Sequence, residues 1–229
     1  MTNNAKLSII AVALAALAAA TLLMTTGDDS SSATQVSDLS TSESTENASS
    51  DGKAEVVRPN THFLQEGSSG VTMTEFLDFE CEACRAFFPV MEQLREEYDG
   101  EVSFAIRYFP IESHFNAKTA AQAVEAASKQ GALEEMYIRM YETQEEWGEQ
   151  QTSERDRFVG FAEDLGLDVD QFEQDLDDPE TVARVEYDQK EGVKLGVSGT
   201  PTLFLDGEQI EIGPFEQMKA QIDAALEDS

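Results

Sequence analysis

Two cysteines are the whole thiol complement of this 229-residue chain, and they stand together as Cys81-Glu82-Ala83-Cys84. The pair follows an apolar run and precedes a helical pattern, which puts one sulfur at a helix N-terminus. Backbone N–H groups and the helix dipole favour a thiolate there. Two thiols one turn apart can close a disulfide, open it by attack and pass it on. A buried structural bridge is the competing reading, but a bridge over so short a loop restricts little unfolded-chain entropy. Zinc competes as well. A structural zinc site takes four ligands, and beyond the cysteines the chain offers only His62 and His114. Exchange chemistry is the expectation that remains.

The elements that must position this pair can be read from periodicity. Val71–Phe79 is a dense apolar run bounded by Ser68-Ser69-Gly70, and it predicts a strand. A helix is expected from about Cys81, with Phe87, Val90, Met91 and Leu94 on one face and a kink at Pro89. Val102–Phe109 alternates as a second strand, closed by Pro110. Several helices follow: one face runs from Ala117 to Ala127 and breaks at Gly131, a second runs from Leu133 to Tyr141, and a third from Phe158 to Leu165. Asp170 with Glu173 predicts a capping box, and Asp178-Pro179 a helix start. Thr202–Leu205, the turn Asp206-Gly207 and Gln209–Ile212 predict a hairpin, followed by a last helix through Phe215, Met218, Ile222 and Leu226. The expected class is α/β: a short parallel βαβ unit, a helical insertion, then an antiparallel hairpin and helix. Met and aromatic positions in the insertion, Trp147 among them, are read as core.

Outside this region the composition changes. Leu7–Met24 is apolar except for Ser8 and Thr21, and Lys6 precedes it. Residues 1–26 are therefore expected to be a membrane anchor or a signal segment. An uncleaved anchor is favoured, because a cut after Ala18-Ala19-Ala20 would leave Leu22-Leu23-Met24 on the mature end. No cysteine lies nearby to carry a lipid. Residues 27–57 are rich in Ser, Thr and acidic groups and are expected to be a disordered linker. The folded domain is then 58–229, with the helical insertion at about 114–177. The formal net charge is −31, and residues 56–229 hold 39 acidic against 13 basic side chains. Such a surface repels nucleic acid. It also suits a salty habitat, where counterions screen the self-repulsion.

Phe76-Leu77-Asp78-Phe79-Glu80-Cys81-Glu82-Ala83-Cys84-Arg85, Tyr108-Phe109-Pro110, the run from His114 through Gln130-Gly131, and Gly199-Thr200-Pro201-Thr202 together resemble the DsbA-like group of the thioredoxin superfamily. The resemblance implies a thioredoxin fold with a helical insertion between the βαβ unit and the C-terminal β-hairpin and helix. It implies that Cys81 attacks and is attacked while Cys84, a turn inside, resolves mixed disulfides. It implies a cis bond before Pro201, with Thr200 offering backbone groups to an extended substrate. It also implies that Glu75 is a buried acid able to exchange a proton with Cys84, where the residues alone allow a solvent-facing strand glutamate. His114 is expected to be a structural hydrogen-bonding group. Glu80 and Glu82 flank the nucleophile where the strongest oxidants of the group have His within the pair. At about 7 Å in near-aqueous surroundings each would cost a thiolate roughly 0.6 kcal/mol, about 0.4 pH units. The expected Cys81 pKa is accordingly above the ~3.5 of DsbA.

The function expected from this reading is an extracytoplasmic thiol-disulfide oxidoreductase, a dithiol oxidase that introduces disulfides into reduced or unfolded exported polypeptides. A membrane disulfide oxidase is its implied electron acceptor. It needs no cofactor or metal beyond the Cys81-Cys84 pair. The expected location is the cell membrane, through a single-pass N-terminal anchor with the domain on the extracytoplasmic side, or secretion if the segment is cleaved. A disulfide isomerase or reductase for specific clients is one alternative, and a tethered chaperone or binding module on the same fold is another.

Overall fold

The computed structural model describes residues 55–229. The expected anchor and nearly all of the expected linker lie outside these residues. Among the described residues no helix is long and apolar enough to cross a membrane.

Five strands form one sheet in the order β1-β3-β2-β4-β5. They are β1 (His62–Gln65), β2 (Thr72–Leu77), β3 (Ser103–Tyr108), β4 (Thr202–Leu205) and β5 (Glu208–Ile210). β2 and β3 run parallel, with Glu75 opposite Ile106, and α1 (Glu82–Glu97) makes the crossover that such a pair requires. β4 lies antiparallel on the other side of β2 and turns into β5. The turn residues Asp206 and Gly207 both have positive φ (49° and 85°), the backbone that a two-residue hairpin turn demands. Pro89 sits inside α1, and the helix runs on to Glu97.

Alternation along β2 sorts its side chains between the two faces of the sheet. Met73, Leu203 and Leu205 pack with Phe87, Met91 and Leu94 of α1 and with Met218 and Ile222 of α7 (Phe215–Asp228). Phe76 and Phe204 point the other way, edge to face at 5.6 Å. They meet Val56, Phe109 and Val197 there. Gly192 of α6 (Pro179–Lys194) covers this aromatic set, and a Cβ on it would lie 2.8 Å from Phe109 Cδ2 and 3.0 Å from Phe76 Cε1. Phe76 is wholly buried, so its ring can yield little. Gly192→Ala is expected to destabilise the fold by about 1–3 kcal/mol, although alanine is the better helix former. Urea denaturation of the two proteins checks this; an unchanged midpoint would show that α6 is loosely seated.

Between β3 and α6 lie α2 (Ala117–Ser128), α3 (Leu133–Trp147), α4 (Arg155–Asp164) and α5 (Val169–Leu176). α2 is so rich in alanine that its neighbours can crowd it on nearly every side, and all of Ala120, Ala121, Ala123, Val124, Ala126 and Ala127 are buried. Trp147 is wholly buried against Phe158, as the core reading requires. Asp178 caps α6, accepting from the Glu180 N–H at 2.7 Å, with Pro179 in the first turn. The cap of α5 differs from expectation. Asp168, not Asp170, accepts from the Gln171 N–H at 3.0 Å, and Asp170 falls inside the first turn. The two acids offer the same chemistry two residues apart. The chain leaves its tight turn at Gly166 (φ 75°), so the earlier one is reached first.

One buried ionic group lay beyond sequence reasoning. Asp188 of α6 is fully buried and receives Arg107 of β3 at 2.5 Å, together with Arg58. Arg107 also donates to the carbonyls of Glu55 and Val56, both at 2.9 Å, and so fastens the incoming chain to the sheet.

Candidate active site

The turn between β2 and α1 carries the cysteines. Cys81 is the N-cap residue of α1 with extended backbone (φ −71°, ψ 120°), which sets its sulfur at the positive end of the helix dipole. Cys81 is 7% exposed and Cys84 1%, both as free thiols. The nucleophile is therefore less open than the exposed helix tip expected from sequence, yet it reaches the surface where its partner does not. The peptide bond from Thr200 to Pro201 is cis. It brings Thr200 against Cys81, whose Sγ lies 3.4 Å from the Thr200 carbonyl oxygen.

The Cys81 thiol is pulled down to about 5, first by a hydrogen bond from the Cys84 thiol and then, against the opposing effect of burial, by Thr200 and the backbone of Cys84 and Ala83. The Thr200 hydroxyl is buried without another partner, which leaves it free to serve a thiolate. Sequence reasoning credited Thr200 with its backbone alone. Cys84 moves the other way, well above an ordinary thiol, through burial and through its donation to Cys81. The pair thus holds one proton on the inner sulfur and one negative charge on the outer.

Glu75 sits on the α1 face of β2, only 2% exposed. Burial, reinforced by the nearby Cys81 charge, raises its carboxyl from 4.5 to about 8. Of the two readings of this residue, the solvent-facing one is excluded. A carboxyl that titrates at about 8, near enough to Cys84 to raise its thiol, is suited to general-acid or general-base work.

Glu80 departs from expectation. Its side chain does not stand in water beside the sulfur. It is buried and accepts from the backbone N–H groups of Asn116 at 2.6 Å and Glu149 at 3.0 Å. Neither Glu80 nor Glu82 is among the largest influences on the Cys81 thiol. Asp78 is likewise turned inward, receiving Glu80 N–H at 2.8 Å, Ile111 N–H at 2.9 Å and His114 Nδ1 at 2.7 Å. His114 is thereby placed as a structural hydrogen-bonding group. Gln144 of α3 donates to the carbonyls of Phe79 at 2.6 Å and Cys81 at 3.0 Å, and no sequence signal marked it. Beside the loop that leads to Pro201 opens a largely apolar cleft of ≈ 330 Å³, lined by Phe109, Pro110, Ile111, Gln189, Val193 and Ser198. Among the described residues no three His, Cys, Asp or Glu side chains converge as a metal site.

Comparison with known proteins adds to this geometry. The family model described as thioredoxin matches residues 58–224. The chain is similar to a thioredoxin-like oxidoreductase from Silicibacter pomeroyi, with 26% identity, TM-score 0.64, and 77% of this chain and 98% of the other covered. It is similar in fold to oxidised BdbD from Bacillus subtilis, with 19% identity, TM-score 0.68, and 76% and 97% covered. It is also similar in fold to alpha-DsbA1 from Wolbachia pipientis, with 20% identity, TM-score 0.66, and 76% and 94% covered. Curated relatives include the Na(+)/H(+) antiporter NhaA of Herminiimonas arsenicoxydans, 33% identical over 61% of this chain. Another is NhaA 3 of Salinispora tropica, 34% identical over 68% of it. The chain spans only 21% and 23% of the length of these two relatives.

Proposed function

The chain belongs to the thioredoxin family and has the structure of a DsbA-type thiol-disulfide oxidoreductase, and from that premise we propose that it is a dithiol oxidase of exported proteins. In its disulfide form Cys81 is attacked by a substrate thiolate. The S–S bond to Cys84 breaks, a substrate–Cys81 bond forms, and Cys84 leaves as a thiolate that takes up a proton, with Glu75 as the donor at hand. A second substrate thiolate then attacks the substrate sulfur of the mixed disulfide and expels Cys81. The substrate has lost two electrons and gained a disulfide, its thiol protons passing to solvent; the enzyme holds the two electrons as a Cys84 thiol and a Cys81 thiolate, and Glu75 regains its proton from solvent. A membrane disulfide oxidase returns it to the disulfide. The Thr200 backbone beside Cys81, and a largely apolar cleft that reaches as far as Ser198, suit an extended, unfolded polypeptide.

The observation that carries this reading is the split between the two thiols. A stabilised Cys81 thiolate makes a good leaving group and stabilises the reduced enzyme, which makes the disulfide oxidising. With Cys81 at about 5, the couple is expected between thioredoxin's ~−270 mV and DsbA's ~−120 mV. Equilibration against glutathione measures it, and acid quenching followed by alkylation reads the state in cells. A potential at or below that of thioredoxin, with a mostly reduced pair in the cell, would instead make the protein a reductase or isomerase. The location is proposed on two grounds: the apolar stretch Leu7–Met24, and relatives in which a matching segment belongs to a longer protein named as a membrane antiporter. Both suit an extracytoplasmic domain held close to a membrane.

A further inference from the structure

We propose that Glu80 and Gln144 are positioning residues that lock the nucleophile loop to the helical insertion and so set the reactivity of Cys81. Glu80 precedes Cys81 in the chain, and its carboxylate holds two backbone N–H groups from separate parts of the insertion. Asn116 stands at the start of α2 and Glu149 in the loop after α3. The clamp is extended by the Asn116 side chain. It donates to the carbonyls of Gln150 at 3.2 Å and Thr152 at 3.0 Å, and accepts from the Glu154 N–H at 3.0 Å. Gln144 closes the other side through the carbonyls of Phe79 and Cys81. Three consecutive residues, Phe79, Glu80 and Cys81, are thus gripped by groups from 36 to 69 positions further along the chain.

The grip matters because the Cys81 thiolate depends on short-range donors. The Cys84 thiol, the Thr200 hydroxyl and the α1 N–H groups act only if the sulfur stays where they aim. Glu149 is held at φ 60°, a conformation a non-glycine residue adopts only when its surroundings hold it there, and its N–H is one of the two bonded to Glu80.

The sign of one measurement separates this role from plain electrostatics. By Coulomb's law, deleting a neighbouring negative charge lowers a thiol pKa. By the positioning role, Glu80→Ala loosens the loop and raises it. The expected result for E80A is an iodoacetamide-alkylation midpoint at least about one pH unit above wild type, roughly fivefold slower alkylation near pH 5. Thiolate absorbance should show the same shift. E80Q keeps one acceptor oxygen and should recover part of it. Q144M changes no charge and should move the midpoint upward as well, while thermal melts show both variants folded. If E80A fails to fold, E80Q and Q144M decide. Midpoints that fall or stay put in these two overturn the proposal. It rests on Cys81 being the exchanging sulfur. A failure of that premise would appear separately, as absence of substrate adducts on Cys81, because ionisation is read here without any substrate.

Discussion

Replacement of Cys84 by alanine is expected to turn the enzyme into a trap for its own substrates. Cys84 is 1% exposed and lies close enough to hold the Cys81 thiol down, so it is poised to reclose on Cys81 wherever a second substrate thiol does not complete the exchange. An intramolecular thiol so placed acts at an effective concentration far above that of millimolar glutathione, and losing it slows resolution by about 10³-fold or more. Adducts on Cys81 should then accumulate in cells and appear as reducible bands on non-reducing gels, absent when Cys81 is also replaced. The same variant loses the largest influence lowering the Cys81 pKa. A hydrogen bond to a charged group contributes about 1.5–3 kcal/mol, so the alkylation midpoint should climb from about 5 toward about 6–7. If no adducts form, and the variant lacking both cysteines keeps full activity in the cell, the groove binds without exchanging.

What the sequence made legible was local. The cysteine pair at a strand–helix junction, the Asp178-Pro179 start of α6 and the Asp206-Gly207 turn each depend on neighbours a few positions away. The apolar core residues of β2 and α1 are legible too, because burial on one side imposes a period. What stayed hidden depends on distant chain. β1 is only four residues, His62–Gln65, of which Leu64 alone is buried, and only their pairing with β3 makes them a strand. Arg107 and Asp188 look like solvent-facing charges in their own elements and are buried only because α6 crosses the sheet. Glu80 is the instructive case. Sequence adjacency fixes the spacing of its backbone to Cys81, not the direction of its side chain, so a carboxylate expected to oppose the thiolate proves to be a bracket for the loop that carries it.

The resemblance to thioredoxins supplied what periodicity could not, namely the roles of Thr200, Pro201 and Glu75. The structure adds a physical setting for Thr200 and for Glu75. It places a partnerless hydroxyl beside the sulfur and a carboxyl where water scarcely reaches. Such a carboxyl is unfavourable for folding. A site that keeps it trades stability for a proton that can move near neutral pH.

That trade predicts the behaviour of Glu75→Gln. The folded-state pKa of Glu75, about 8, lies above the 4.5 of the unfolded chain. Below pH 4.5 both states hold the proton and the carboxyl exerts no pH effect. Between 4.5 and 8 the unfolded chain releases the proton while the folded protein keeps it, so wild-type stability falls with rising pH and levels off above about 8. The full loss is about 5 kcal/mol, which for a domain of this size is about 10–20 °C in Tm. Glutamine cannot titrate, so E75Q should lack this slope. Any fixed penalty of burying its amide shifts the whole curve and leaves the slope difference intact. Thermal melts of the two proteins at pH 4 and pH 9 measure it, and parallel curves would show that Glu75 is not held protonated by the fold. Part of the shift comes from the Cys81 charge, which the disulfide form lacks, so the difference should be larger in the reduced protein than in the oxidised one. Activity should move against stability. With no carboxyl to give Cys84 its proton as it leaves, formation of the mixed disulfide at pH 7 is expected to slow by about 10²-fold. A variant more robust in alkali and slower in turnover is the signature of a general acid–base; one altered in stability alone would leave Glu75 a mere buried charge.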